Sequence, residues 1–342
     1  MVAVALCCAA ATPSWAAKAS ARAVTVAKAK PASTRVVKYR RTAPAVPARP
    51  SAGQLQGLRA TDDPLDLRSS VALVVDQDTD EVLFSKNSEA VLPIASITKL
   101  MTAMVVIDAE QALDESLTVG RVELDTPKNN RSRLRVGAQL TRAELLHLAL
   151  MSSENRAAYA LGVNYPGGIT ELVAAMNRKA QELGMHDSQF VEPTGLSSKN
   201  QSSARDLALL VKAAYQHPVL REYSTSRDAA VPVGRQLVQF RNTNALVRSP
   251  MWEIGLQKTG FISEAGRCVV MQAQLAGRNL IMVLLDSTGR YSRIGDAERI
   301  RRWINESPGS PSTRSVAPAA AVLSAAMSES GRDLGGSVPD SF

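Results

Sequence analysis

Apolar runs of strand length occur in two pairs, far apart in the chain, with helical patterns filling the span between them. Residues 71–76 and 81–85 bracket an acidic turn, which predicts a hairpin. Residues 267–275 and 280–286 bracket Ala276-Gly277-Arg278-Asn279 and predict a second. Between them, residues 96–109 carry Leu100, Met101, Met104, Val105, Val106 and Ile107, apolar on most faces, the pattern of a buried helix. Thr141 and Glu144 are spaced as a capping box ahead of a leucine-rich helix, and Ser203 with Asp206 opens another in a similar way. Residues 293–307 predict an amphipathic terminal helix with Ile294, Ile300, Trp303 and Ile304 on one side. Strands at both ends with helices inserted between them predict a mixed α/β (α+β) fold. It is an antiparallel sheet closed by the two ends, flanked by helices, with a helical lobe. The body so outlined, residues 66–307, has the size of one domain.

The flanks read differently. Residues 1–11 are apolar, and Ser14-Trp15-Ala16 offers small residues where a signal peptidase reads, so residues 1–16 are expected to be a signal peptide. Residues 17–50 hold nine Lys or Arg and no acid, within an Ala-, Pro- and Val-rich stretch. Residues 17–65 are therefore expected to be a disordered basic tether. It reads as a solubilising spacer or as a weak electrostatic attachment to anionic lipid or wall polymer. The net charge of +8 resides there. With those nine removed, 31 basic residues face 32 acidic ones, which argues against a nucleic-acid-binding body. Residues 308–342 are rich in Ser, Ala, Gly and Pro and read as a second disordered tail. Beyond the leader no run is long and apolar enough to span a membrane. Once Cys7 and Cys8 leave with the signal peptide, Cys268 has no partner for a disulfide.

Three short motifs carry chemistry. Ser96 and Lys99 share a helical face, one turn apart, so a hydroxyl nucleophile and an amine base meet without a histidine. To take the serine proton Lys99 must be neutral. Burial favours that, and so does a second cation, for which Lys258 is the candidate. Ser-x-Asn occurs three times, at Ser85–Asn87, Ser153–Asn155 and Ser198–Asn200. Ser153 and Asn155 follow an apolar helical run and lie between the other two motifs, which selects them. Lys258-Thr259-Gly260 follows a strand-like run. Its lysine and threonine suit a carboxylate, and its glycine leaves room for a substrate strand. The amides of Ser96 and Phe261 are the candidate oxyanion donors. The three histidines form no zinc-binding His-Glu-x-x-His, and there is no Gly-x-Ser-x-Gly elbow. No metal or cofactor is implied.

Residues 94–103, 151–158, 190–196 and 258–261, which hold these motifs, resemble a low-molecular-mass penicillin-binding protein. That is the D-alanyl-D-alanine carboxypeptidase/endopeptidase family of serine peptidases. The resemblance spans about residues 66–307, and its Ser-Glu-Asn and Glu-Pro-Thr-Gly-Leu variants point to the endopeptidase branch. It implies a β-lactamase/transpeptidase-like fold and an acyl-enzyme on Ser96 with Lys99 as base. Ser153 would relay a proton to the leaving amine, Asn155 would position substrate and lysine, and Lys258, Thr259 and Gly260 would bind substrate. It implies peptidoglycan peptides as substrates, β-lactams as inhibitors and a periplasmic location. The expected activity is opening of D-alanyl–diaminopimelate cross-links, with trimming of pentapeptides as the alternative. A β-lactamase fits less well, since its deacylating Glu-x-x-Leu-Asn is missing, and so does an inactive wall-binding module.

Overall fold

The computed structural model describes residues 50–121, 132–234 and 236–306. The expected signal peptide, most of the expected tether and the expected tail lie outside them. Five strands form one antiparallel sheet: β1 (Ser69–Asp76), β2 (Val82–Lys86), β3 (Glu253–Ile262), β4 (Gly266–Leu275) and β5 (Arg278–Ser287), in the order β2-β1-β5-β4-β3. Both predicted hairpins are present, and β1 pairs with β5, Ser69 opposite Ser287. The sheet is thus closed by strands from the two ends of the body.

The inner strands are apolar at consecutive positions because both faces of the sheet are covered. Val71 and Leu73 of β1, with Ile281, Val283 and Leu285 of β5, face the main core. Ala72 and Val74, with Met282 and Leu284, face a second core shared with Ile300 and Ile304 of the terminal helix (Ser292–Glu306). Asp296 of that helix accepts bonds from the Arg68 and Ser69 amides and the Ser69 hydroxyl, pinning the start of β1.

On the main-core side lies the helical lobe. Its centre is α1 (Thr98–Asp108), buried from Thr98 through Val106, as its all-round apolar pattern predicts. α2 (Arg142–Met151) starts on the predicted capping box, with Thr141 and Glu144 each satisfying the other's backbone N–H. α3 (Asn155–Val163) follows after three residues. Ser203 caps the helix Ala204–Ala214, but Asp206 does not reciprocate. Its carboxylate instead accepts from the Asp187 amide and the Ser188 hydroxyl.

The tether boundary differs from expectation. Ser51 and Gln54 form a capping box, and the Ala52 amide donates to the Glu264 carbonyl at the β3–β4 turn. Asp63 pairs with Lys86 at 2.7 Å, both nearly enclosed. Composition placed residues 51–65 outside the body, yet they belong to it. Their anchoring partners, Lys86 and Glu264, lie far away in sequence, where composition cannot see them.

Candidate active site

Ser96 sits in a tight turn, Ala95–Ile97, that feeds directly into α1. The turn bends because Ala95 adopts φ +48°, a conformation unusual for a residue with a Cβ. Two glycine backbones hold it. A Cβ on Gly195, which has φ +79°, would lie 1.9 Å from the Ala95 carbonyl oxygen. A Cβ on Gly260 would lie 2.8 Å from the Ile94 carbonyl oxygen and 3.2 Å from the Ser96 amide nitrogen. Gly260 thus makes room for the serine turn, a nearer requirement than the substrate strand expected from the motif.

Lys99 is fully buried one turn beyond Ser96. Its ammonium group is 2.9 Å from Ser96 Oγ and 2.8 Å from Asn155 Oδ1, and it also donates to the Thr194 carbonyl. Lys258, equally buried on β3, reaches Ser153 Oγ at 2.9 Å and the Thr259 carbonyl at 2.9 Å. Ser153 lies in the α2–α3 connection with φ +62°, a strained conformation that aims its hydroxyl across the cleft. Asn155 is the first residue of α3. The six polar side chains of the three motifs (Ser96, Lys99, Ser153, Asn155, Lys258 and Thr259) thus converge from α1 and the turn before it, the α2–α3 connection, the start of α3 and β3. The other two Ser-x-Asn triplets do not join them. Lys86 and Asn87 tie β2 to residues 58–70, and the Asn200 side chain braces the backbone at Val191 and Glu192.

The cleft of about 370 Å³ is bordered by Ser96, Ser153 and Asn155 on the helical side and by Thr259 and Phe261 on β3. β3 is an edge strand, so the cleft runs beside an unpaired backbone ladder. The motifs did not reveal four contributors. Thr243 Oγ1 lies 2.6 Å from Thr259 Oγ1, and the Thr243 amide donates to the Met151 carbonyl, joining the two walls. Glu192 accepts from the Thr194 and Gly195 amides and from Asn200, which folds the loop that points the Thr194 carbonyl at Lys99. Arg267 and Arg293 line the far end. Only Glu192 stood in a stretch that sequence reasoning singled out.

Burial lowers the Lys99 pKa to about 8, against the opposing pull of Glu192 and Glu154. Lys258 is also pushed well below its ordinary value, first by burial, then by Lys99 and Arg293. Proximity to Lys99 disfavours the charged form of Lys258. Lys99 has three acceptors and two carboxylates to hold its charge, so the expected assistance runs the other way. Burial raises the Glu154 pKa, although Ser132 and the Arg133 amide bond to its carboxylate. Among the described residues no cluster of His, Cys, Asp or Glu is arranged to hold a metal.

Such a site can acylate a serine, with an amine as proton carrier and cations to receive an anionic ligand. Residues 58–289 match the family described as D-alanyl-D-alanine carboxypeptidase. A D-alanyl-D-alanine endopeptidase of Pseudomonas aeruginosa is 49% identical over 241 residues, 70% of this chain and 78% of that protein. One of Escherichia coli K12 is 44% identical over 262 residues, 76% of this chain and 84% of that protein. The crystal structure of penicillin-binding protein D2 from Listeria monocytogenes, in the ampicillin-bound form, superposes with a TM-score of 0.62. It is 29% identical and covers 70% of this chain and 98% of that one.

Proposed function

This chain belongs to the D-alanyl-D-alanine carboxypeptidase family of serine peptidases, and on that premise we propose that it opens D-alanyl–diaminopimelate cross-links through an acyl-enzyme on Ser96. The observation that carries the reading is the placement of Lys99 Nζ between Ser96 Oγ and Asn155 Oδ1, with Lys258 on Ser153 across the cleft.

A peptide laid against the open edge of β3 extends the sheet by one strand. Its carboxylate meets Thr259 and Lys258, and the bound anion favours the charged form of Lys258. Lys99, neutral in a sizeable fraction at neutral to mildly alkaline pH, takes the Ser96 proton as the hydroxyl attacks the D-alanyl carbonyl. The developing oxyanion is held by the Ser96 and Phe261 amides. The proton then passes through Ser153 to the leaving amine, and water hydrolyses the ester in a second step. Asn155 keeps Lys99 and the substrate amide in register. Two relatives that share 49% and 44% of their aligned residues with this chain carry the name endopeptidase, which favours cross-link opening over pentapeptide trimming.

Export to the periplasm completes the proposal. Residues 1–16 serve as signal peptide, and the basic stretch 17–50 gives salt-sensitive attachment to anionic surfaces. No described helix is long and apolar enough to cross a membrane. The deciding experiment digests purified cross-linked muropeptide dimers and free pentapeptide side by side. Faster loss of dimers is expected. Faster release of terminal D-alanine would assign the enzyme to pentapeptide trimming instead.

A further inference from the structure

The cleft holds more positive charge than the bond-breaking chemistry uses. Four basic side chains, Lys99, Lys258, Arg293 and Arg267, stand within electrostatic reach of one another. Lys99 and Arg293 both act on Lys258, and Arg267 in turn acts on Arg293, lowering its affinity for a proton after burial has done so. Lys99 has Glu192 and Glu154 to balance it. The others have nothing comparable. No acidic side chain borders the cleft. Among the described residues neither Arg267 nor Arg293 makes an ion pair, and Arg293 Nη1 is buried without a hydrogen-bond partner. Two adjacent unneutralised guanidinium groups, one of them desolvated, are a standing electrostatic cost that bound carboxylates would relieve.

Arg267 lines the cleft and is held in place. It pairs with Phe261 across the β3–β4 ladder, and its guanidinium lies 4.5 Å from the Phe261 ring centroid. Phe261 is 55% exposed, so an apolar surface and a fixed cation stand side by side in the cleft.

A terminal D-alanine leaving group has one carboxylate, next to the cleaved amide. In the reading above that carboxylate is met beside Ser96, at Lys258 and Thr259. A leaving group that is itself a second peptide strand continues past that point, with an aliphatic chain and further carboxylates. We propose that Arg267, stacked on Phe261, is a specificity-determining residue that receives a second carboxylate on the leaving strand of a cross-link. Phe261 underlies the aliphatic chain between the two carboxylates. This rests on the cross-link-opening reading above and supplies its basis for choosing between the two substrates.

The test compares kcat/KM for a cross-linked dimer and for a pentapeptide in wild type, Arg267→Gln and Arg267→Lys, each verified as folded by one penicillin adduct per chain. Arg267→Gln is expected to lower the dimer-to-pentapeptide ratio roughly 5- to 20-fold, mainly through KM, as for a lost charge-assisted hydrogen bond. Arg267→Lys is expected to recover part of it. Amidating the leaving-strand carboxylates other than the one next to the cleaved amide should slow wild type by a similar factor and leave Arg267→Gln unaffected, the signature of a pair that couples. An unchanged ratio, or equal losses on both substrates, overturns the assignment of Arg267 alone. A wild type that takes penicillin but leaves dimers intact overturns the cross-link reading and this inference together.

Discussion

The two walls of the cleft handle charge in opposite ways. On the helical wall, Lys99 is surrounded by acceptors: the Ser96 hydroxyl, the Asn155 amide oxygen and the Thr194 carbonyl, with two carboxylates behind. On the sheet wall, Lys258, Arg293 and Arg267 stand together with no acid facing the cleft. A balanced lysine can pass a proton back and forth at small cost, which is what a base needs. An unbalanced row of cations is poor at that and good at gathering anions. Much of the division of labour between breaking a bond and recognising the ligand therefore follows from where the acids are, since both walls contain buried lysines.

The largest expected effect falls on the helical wall. Ser96→Ala removes the proposed nucleophile, so intact-mass measurement after penicillin should show no adduct, where wild type should show one. An adduct in the variant would place the acylated group elsewhere. Next comes Lys99→Ala, for which acylation should slow about 10²- to 10⁴-fold, the range for a lost general base. The base form of Lys99 is the neutral one and its pKa is about 8. Wild-type acylation should therefore rise with pH through that value and level off above it. A rate that is flat from pH 6 to 9 would remove Lys99 from the role and erase the contrast between the walls.

The sheet wall should answer differently. Lys258→Met is expected to weaken carboxylate recognition about 10- to 100-fold, the loss of a charged hydrogen-bonding partner, while raising Tm by a few degrees as functional strain is relieved. The sign follows from linkage. The Lys258 pKa is lowered on folding, so its penalty is fully present in acid and disappears as pH rises to the unfolded value near 10.5. The variant's advantage should shrink over the same interval. A variant less stable than wild type at every pH would mean that the Ser153 contact outweighs the burial cost. The smallest effect is expected from Thr243→Val, which cuts the 2.6 Å link between the walls. Denaturant unfolding should register a loss of about 1 kcal/mol.

What could be read in the sequence has a physical pattern. β1 and β5 were legible because strands covered on both faces are apolar over consecutive positions, Val71–Val75 and Leu280–Leu285. Ser96 and Lys99 were legible because a helix turn brings i and i+3 together without help from the rest of the fold. Arg267, Arg293 and Thr243 were not, since each reaches the cleft only once β3 and β4 are paired and the terminal helix has docked. The paired strands Asp228–Val233 and Gln236–Arg241 also escaped notice. They are largely exposed, so little burial shaped their composition. Gly260 shows a subtler limit. Its motif was visible, but the contact that demands a glycine, the Ile94 carbonyl, comes from 166 residues earlier in the chain.

The pairing of β1 with β5 also governs when the molecule can exist. Ser69 must meet Ser287 before the sheet has a centre, so almost the whole body has to be available before its core can close. Non-local pairing of this kind slows folding, because chain entropy is lost long before contacts repay it. The nucleophile turn is made early in the chain, but the strand against which it packs is among the last parts to arrive. A partly synthesised chain therefore carries Ser96 and Lys99 without the strand that completes the cleft.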